Sequence, residues 1–245
     1  MQFITAQWQA PKQVKALTTT RLNGFSEAPF DSLNLGDHVE DDAARVAQNR
    51  TQLLQSLGLD TPPQWLQQVH GTEVIKASSD GVIHQADACW SDETGQACVV
   101  MTADCLPVFF ADKQGQKVAV AHAGWRGLLD GVLENTLDIF NDPEDVFVWF
   151  GPAIGPSAFE VGEEVLEQFA AKQPESKTAF APVQGKSGKY LANIYQLAEM
   201  RLKRAGVSEI SGCDLCTYTD QERFFSYRRD GKTGRMASLI WIEKE

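Results

Sequence analysis

The stretch from Val99 to Gly127, VVMTADCLPVFFADKQGQKVAVAHAGWRG, decides how this chain is read. Two apolar runs, Leu106 to Ala111 and Lys117 to His122, flank the turn signal at Gln114 and Gly115, so a hairpin is the simplest interpretation. Cys105 and His122 sit in that otherwise apolar sequence, where a thiol and an imidazole need a chemical reason. The register decides whether they meet. A loop with an even number of residues sets Pro107 opposite His122 and leaves Cys105 diagonal to His122 on the same face, a span of about 7–8 Å. A three-residue loop sends them to opposite faces. Pro107 has no N–H for a ladder, so an edge or a bulge is expected near it.

The hairpin runs straight into Gly124-Trp125-Arg126-Gly127 and then a helical pattern in which Leu128, Leu129, Val132, Leu133, Leu137 and Phe140 share a face. The first turn of such a helix offers unpaired N–H groups, and Arg126 adds a forked cation, a combination suited to phosphate or carboxylate. The competing reading is that Trp125 and Arg126 only cap the helix. Upstream, His70 in QWLQQVHGTEV ends a short apolar run before Gly71 and by itself reads as structural. Asp104, beside Cys105, is either a turn cap or a partner supporting a ligand.

At 245 residues the chain can bury a large core, and with no long linker in the middle a single domain over 1–245 is expected. A net charge of −11 argues against a polyanion-binding surface, so nucleic acid is not expected as a main partner, although Arg228-Arg229 suits a single phosphate. No stretch approaches the ~20 apolar residues that span a bilayer. The N-terminal residues lack the pattern of a signal peptide. Five cysteines without a framework spacing suggest reduced thiols and a cytoplasmic location. Cys213 and Cys216 form a CxxC without a second ligand pair nearby and read as incidental thiols, and Cys89 and Cys98 as core residues.

Elsewhere the pattern predicts a strand at Val14 to Thr19, a turn at Arg21 to Gly24, a helix at Asp41 to Leu57 and a strand at Val146 to Phe150. Further helices are predicted at Gly162 to Ala171 and Asn193 to Ala205, and an exposed loop at Pro182 to Lys189. Phe224 to Arg229 and Arg235 to Ile242 predict a C-terminal hairpin around Asp230-Gly231-Lys232-Thr233-Gly234. Glu163 and Glu164 suit the start of their helix.

The motifs TTTRLNGFS, DSLNLGDHVEDD, QVHGTEV, ADACWSDETG, MTADCLPV, VAHAGWRG, FGPAIGPSAFEVG, CTYTD and FFSYRRDGKTGRMASLIW, in this order over nearly the whole chain, resemble the YfiH-like laccase-domain family. The resemblance implies an α/β fold, a layered α-β-β-α sandwich with mixed sheets, related to the catalytic domain of cytotoxic necrotizing factor toxins. It also implies a zinc-dependent purine nucleoside phosphorylase that accepts methylthioadenosine and deaminates adenosine, with purine nucleosides and inorganic phosphate as its small-molecule partners. On the matching motifs the family's metal ligands fall on His70, Cys105 and His122, which with Arg126 make up the expected catalytic set.

Two imidazoles and one thiolate fill three corners of a tetrahedron and leave the fourth open, the pattern of a catalytic zinc site. Arg126, Arg21, Arg228 and Arg229 are the cations expected to hold phosphate or ribose. Copper is the weaker expectation. A laccase-type array needs many imidazoles and the chain has four histidines; a single blue-copper set of His70, His122, Cys105 and Met101 lacks a reason for an electron-transfer partner. The alternative is a metal-free hydrolase in which His122 activates Cys105, with peptidoglycan precursors as the substrate that the family resemblance implies.

Overall fold

The computed structural model describes residues 1–244. The hairpin forms as Leu106–Asp112 and Val118–Ala123, with Pro107 opposite His122 and Ala111 opposite Val118. A four-residue connection, 113 to 116, closes it, with Gly115 in the left-handed region at φ 67°. The loop is even, and Cys105 and His122 fall on one side. Pro107 lies neither on an edge strand nor at a bulge. Leu106–Asp112 is an inner strand of a six-stranded sheet in the order Glu209–Gly212, Val146–Phe150, Leu106–Asp112, Val118–Ala123, Ala88–Ser91, Val74–Lys76. The proline is tolerated because the ladder to Val146–Phe150 ends at Val108, and beyond it Pro107 acts only as acceptor, from Gly151 N.

Both faces of this sheet are buried, which is why its strands read as near-continuous apolar runs. Val108, Phe110, Ala119 and Ala121 face a core shared with Leu128, Leu133, Phe169, Leu197 and Leu202 of the helical layer. Phe109, Val118, Val120 and Trp149 face the other way, onto Val14, Ala16, Cys98, Val100 and Ile240 of a second sheet. That sheet has four antiparallel strands in the order Phe3–Thr5, Val14–Thr19, Met236–Ile242, Cys98–Thr102. Its outer face packs Leu17, Val99, Leu239 and Trp241 against Leu53 of the helix Ala43–Leu57. The layers therefore run helices, mixed sheet, antiparallel sheet, helix. Two small sheets complete the mixed α/β fold, Glu160–Gly162 with Lys189–Ala192 and Phe180–Pro182, and Leu66–Gln67 with His84–Gln85.

The helix predicted after Gly124 divides into Trp125–Asp130 and Val132–Leu137, because Gly131 takes φ 111° between them. The helix Ala43–Leu57 begins where Asp42 accepts hydrogen bonds from Ala44 and Arg45 amides and ends at left-handed Gly58. The C-terminal hairpin does not form. Tyr227–Asp230 is a short helix capped by Ser226, and Met236–Ile242 inserts between strands from the first and middle parts of the chain. All seven residues of that strand are buried, so its apolar run reports a position inside a sheet and not a hairpin arm.

Candidate metal centre and cavity

His122 is the fifth residue of Val118–Ala123, in phase with Val118 and Val120, and is buried. Cys105 occupies the tight turn between Cys98–Thr102 and Leu106–Asp112, half-buried. His70 comes from a loop, with its backbone in the left-handed region at φ 61°, and its side chain reaches Cys105 with Nε2 3.8 Å from Sγ. The His70 and His122 rings meet edge to face, centroids 4.8 Å apart. Donor atoms of His70, Cys105 and His122 all lie within 4.8 Å of one another, the one such cluster of three among the described residues.

Asp87 builds this arrangement, and sequence reading missed it. Fully buried, its carboxylate accepts from His122 Nδ1 at 2.8 Å and from the amides of Val69, His70 and Gly71 at 3.2, 2.9 and 2.6 Å. One side chain thus orients the first imidazole and holds the strained loop that carries the second. The signal was present: a carboxylate in the strand-like run QADACW has to be paired when buried.

Glycines make room for the approach. A Cβ on Gly124 would stand 2.6 Å from His70 Cδ2 and 3.2 Å from Cys105 Sγ, and one on Gly127 would stand 2.8 Å from the Gly71 carbonyl oxygen.

Burial alone would raise the Cys105 thiol, but the His122 charge and hydrogen bonds from His122 and His70 outweigh it and bring the pKa down to about 6. Burial alone would lower His122, yet the facing thiolate and the Asp87 carboxylate raise it to about 9. Asp87 stays ionised below the usual carboxylate range; burial opposes this, and His122 and the amides more than compensate. The trio fits a metal ion on its donor chemistry. Asp87 holds His122 Nδ1 and so leaves Nε2 as the free donor. Around one zinc ion such donors stand about 3.3–3.6 Å apart, within reach of side-chain rotation from a spread of 4.8 Å.

Beside the cluster opens a cavity of about 240 Å³ lined by Cys105, Trp125, Arg126, Phe159, Tyr227 and Arg228, among others. Arg126 is exposed and stacks on Trp125, its guanidinium carbon 4.3 Å from the ring centroid. Arg228 donates to the Glu160 carbonyl at 2.7 Å and lies over Phe159. Asp104 ties the wall together. With φ 96°, its carboxylate accepts from Thr217 Oγ1 at 2.7 Å, Ser226 Oγ at 3.0 Å and Arg228 N at 2.7 Å.

The other two arginines singled out by sequence lie elsewhere. Arg21 and Arg229 border a separate depression with Asp31, Glu222 and Asp230. Arg21 pairs with Asp31, and Arg229 is spent on Asp230 and the carbonyls of Thr217, Tyr218 and Phe224. Met101, a conceivable axial copper ligand, turns its sulfur toward Arg50 Nη2 at 3.9 Å. Cys89 and Cys98 are core residues, and Cys216 accepts from Gly155 N at 3.1 Å.

Over residues 15–243 the chain matches the family described as multi-copper polyphenol oxidoreductase laccase. It is 51% identical over 244 residues to a Haemophilus influenzae protein named purine nucleoside phosphorylase, covering 99% of this chain and 100% of that one. To the Escherichia coli protein named purine nucleoside phosphorylase YfiH it is 52% identical over 242 residues, 98% of each. Among solved structures, a Neisseria meningitidis protein of family DUF152 superposes with a TM-score of 0.95 at 48% identity, covering 100% of both chains. YlmD from Geobacillus stearothermophilus superposes with a TM-score of 0.88 at 31% identity, over 99% of this chain and 100% of the other.

Proposed function

Because the chain belongs to the multi-copper polyphenol oxidoreductase laccase family, with 52% identity to its YfiH-named relative, we propose that it is a zinc-dependent purine nucleoside phosphorylase. It takes a purine nucleoside and inorganic phosphate to free base and ribose 1-phosphate. The observation that carries this reading is the His70–Cys105–His122 cluster opening on a cavity edged by Arg126 and Arg228, neither of which forms an ion pair among the described residues.

In phosphorolysis a phosphate oxygen attacks C1′ while the bond from C1′ to the purine nitrogen breaks and its electron pair leaves with the base. Arg126 and Arg228 hold the attacking dianion and offset its charge. The apolar lining, Trp125, Ile154, Phe159 and Ile194, receives the flat base and limits the water that would divert the reaction to hydrolysis. Asp87 keeps the His122 ring in the orientation that its role requires. Zinc, held by His70, Cys105 and His122, would supply a Lewis acid and acidify a water, chemistry that also suits adenosine deamination and methylthioadenosine phosphorolysis as side activities. We assign phosphate to Arg126 and Arg228 ahead of Arg21 and Arg229, whose donors are already engaged. Zinc is preferred to copper because the chain has four histidines in all, and two of them, His38 and His84, lie outside the cluster.

The reading includes a cytoplasmic location; no helix among the described residues is long and apolar enough to cross a membrane. It also includes kinship of the fold with the cytotoxic necrotizing factor catalytic domain, which the family resemblance implies. One observation favours a second reading. Asp87, His122 and Cys105 form a chain of carboxylate, base and thiolate, the set of a cysteine hydrolase, for which the family resemblance implies peptidoglycan precursors as substrate.

The test is incubation of zinc-analysed protein with inosine or adenosine, with and without phosphate, following free base and ribose 1-phosphate. Phosphate-dependent base release that is lost with the metal in His70→Ala supports the phosphorylase. Full activity in chelator-stripped protein overturns the zinc requirement, and absence of base release overturns the reaction.

A further inference from the structure

The arginines of this acidic chain divide by partner. Arg21, Arg45, Arg50, Arg201, Arg223 and Arg229 each pair with a carboxylate. Among the described residues Arg126, Arg204, Arg228 and Arg235 show no such pair. Arg204 ends the helix Ile194–Arg204 on the surface. The remaining three gather about one place. Arg126 and Arg228 line the cavity of Cys105, and Arg235 stands beside the cavity residue Tyr227, its guanidinium carbon 5.8 Å from the ring centroid.

Arg235 is half-buried and firmly held. Its amide donates to Asn34 Oδ1 at 2.9 Å, its carbonyl accepts from Leu35 N at 3.1 Å, and its stem crosses Gly36 so closely that a Cβ there would lie 2.8 Å from Cγ. Among the described residues only Nη1 is used, donating to the carbonyls of Thr233 and Gly234 at 2.9 and 3.0 Å. Nε and Nη2 make no hydrogen bond to the described residues. Burial disfavours its charge, and the nearby titratable groups that favour it, Cys105 first and then Asp104 and Tyr227, all belong to the cavity wall. In a chain with net charge −11, carboxylates are plentiful, yet among the described residues none forms an ion pair with this guanidinium. A fixed, partly desolvated fork with an unused edge is organised to receive an anion from outside.

We propose that Arg235 is a third anion-binding residue of the Cys105 cavity, completing with Arg126 and Arg228 a three-arginine site for inorganic phosphate. The assignment of phosphate rests on the phosphorylase reading; the anion site itself does not. Arg235 was not among the cations that sequence suggested. It sits in a Gly-Arg-Met run leading into a buried strand, where an arginine reads as the end of a turn.

The experiment is calorimetric titration of the zinc-loaded protein with inorganic phosphate, alongside separate KM values for phosphate and nucleoside, in wild type, Arg235→Gln and Arg235→Lys. Arg235→Gln is expected to weaken phosphate binding at least tenfold and to raise phosphate KM in step, with nucleoside KM and zinc content within twofold of wild type. Arg235→Lys keeps the charge but loses the fork, and a threefold or greater weakening is expected. Phosphate affinity within twofold of wild type in a folded Arg235→Gln overturns the proposal. If circular dichroism shows that variant unfolded, unchanged affinity in Arg235→Lys does so instead. Wild type that binds phosphate but releases no base leaves the anion site standing and removes the phosphorylase reading. Wild type that takes up no phosphate at about 10 mM removes the site.

Discussion

The Asp87 carboxylate accepts a 2.8 Å hydrogen bond from His122 Nδ1 and, with its two oxygens, also gathers three consecutive amides of the loop that carries His70. The two histidines are 52 positions apart in the chain, and this buried group fixes them relative to each other. Asp87→Asn keeps the volume but loses the charge and one acceptor. Zinc affinity is expected to fall about 10–100-fold, measured by chelator competition, the usual cost of losing a partner behind a ligating histidine. Unchanged affinity would show that the His122 orientation is set by strand packing alone.

Gly124 has an ordinary backbone, φ −65°, so alanine there is not excluded by conformation. It is excluded by space, since the added Cβ would press on His70 and Cys105. Gly124→Ala is expected to retain its fold by circular dichroism and to lose most of its bound zinc by elemental analysis.

In chelator-stripped protein, Cys105 is expected to alkylate with a pH profile set by its pKa of about 6. The thiolate is the reactive form, so the rate with iodoacetamide falls tenfold per unit below about pH 6 and levels off above it, whereas an ordinary thiol keeps gaining until about pH 8.5. Peptide mapping separates Cys105 from Cys213, which burial pushes up to about 11. A midpoint for Cys105 above pH 8 would contradict the pairing with His122.

Asp104 joins the turn before Cys105 to the wall that bears Tyr227 and Arg228 through three hydrogen bonds. Asp104→Asn cannot satisfy all three donors. Bonds to a charged acceptor contribute about 1.5–3 kcal/mol, so thermal unfolding is expected to drop by roughly 3–10 °C. Nucleoside KM should rise, because the cavity wall loses its anchor. A variant with wild-type Tm and KM would mean that Asp104 only closes its own turn.

Much of the fold was legible locally. The apolar runs at Val108 to Phe110 and at Val118 to Val120 announce two buried faces, but the sequence left an even and an odd loop both open, and the structure chose the even one that sets Pro107 against His122. The helix starts at Asp42 and Asn193 follow from short-range capping. Where local chemistry and tertiary demand disagreed, tertiary demand won. Phe224 to Arg229 has strand-like composition, yet Ser226 and Arg228 are drawn onto the buried Asp104, and a short helix satisfies that carboxylate better than an extended arm. His70 became a candidate through family resemblance alone, since a lone imidazole before a glycine carries no local sign of a metal.

By itself the sequence determined the apolar arms of the central hairpin, the two registers open to it and the residue types able to hold a metal, because each is written in side-chain periodicity and turn chemistry over a few residues. Only the tertiary structure decided that Asp87 clamps both histidines, that Met236–Ile242 lies between Val14–Thr19 and Cys98–Thr102, and that Arg126 and Arg228 line one cavity, with Arg235 beside its Tyr227, while Arg21 and Arg229 border another. Those facts depend on groups brought together from distant parts of the chain, where burial forces each charge to find a partner and spacing along the sequence does not say which.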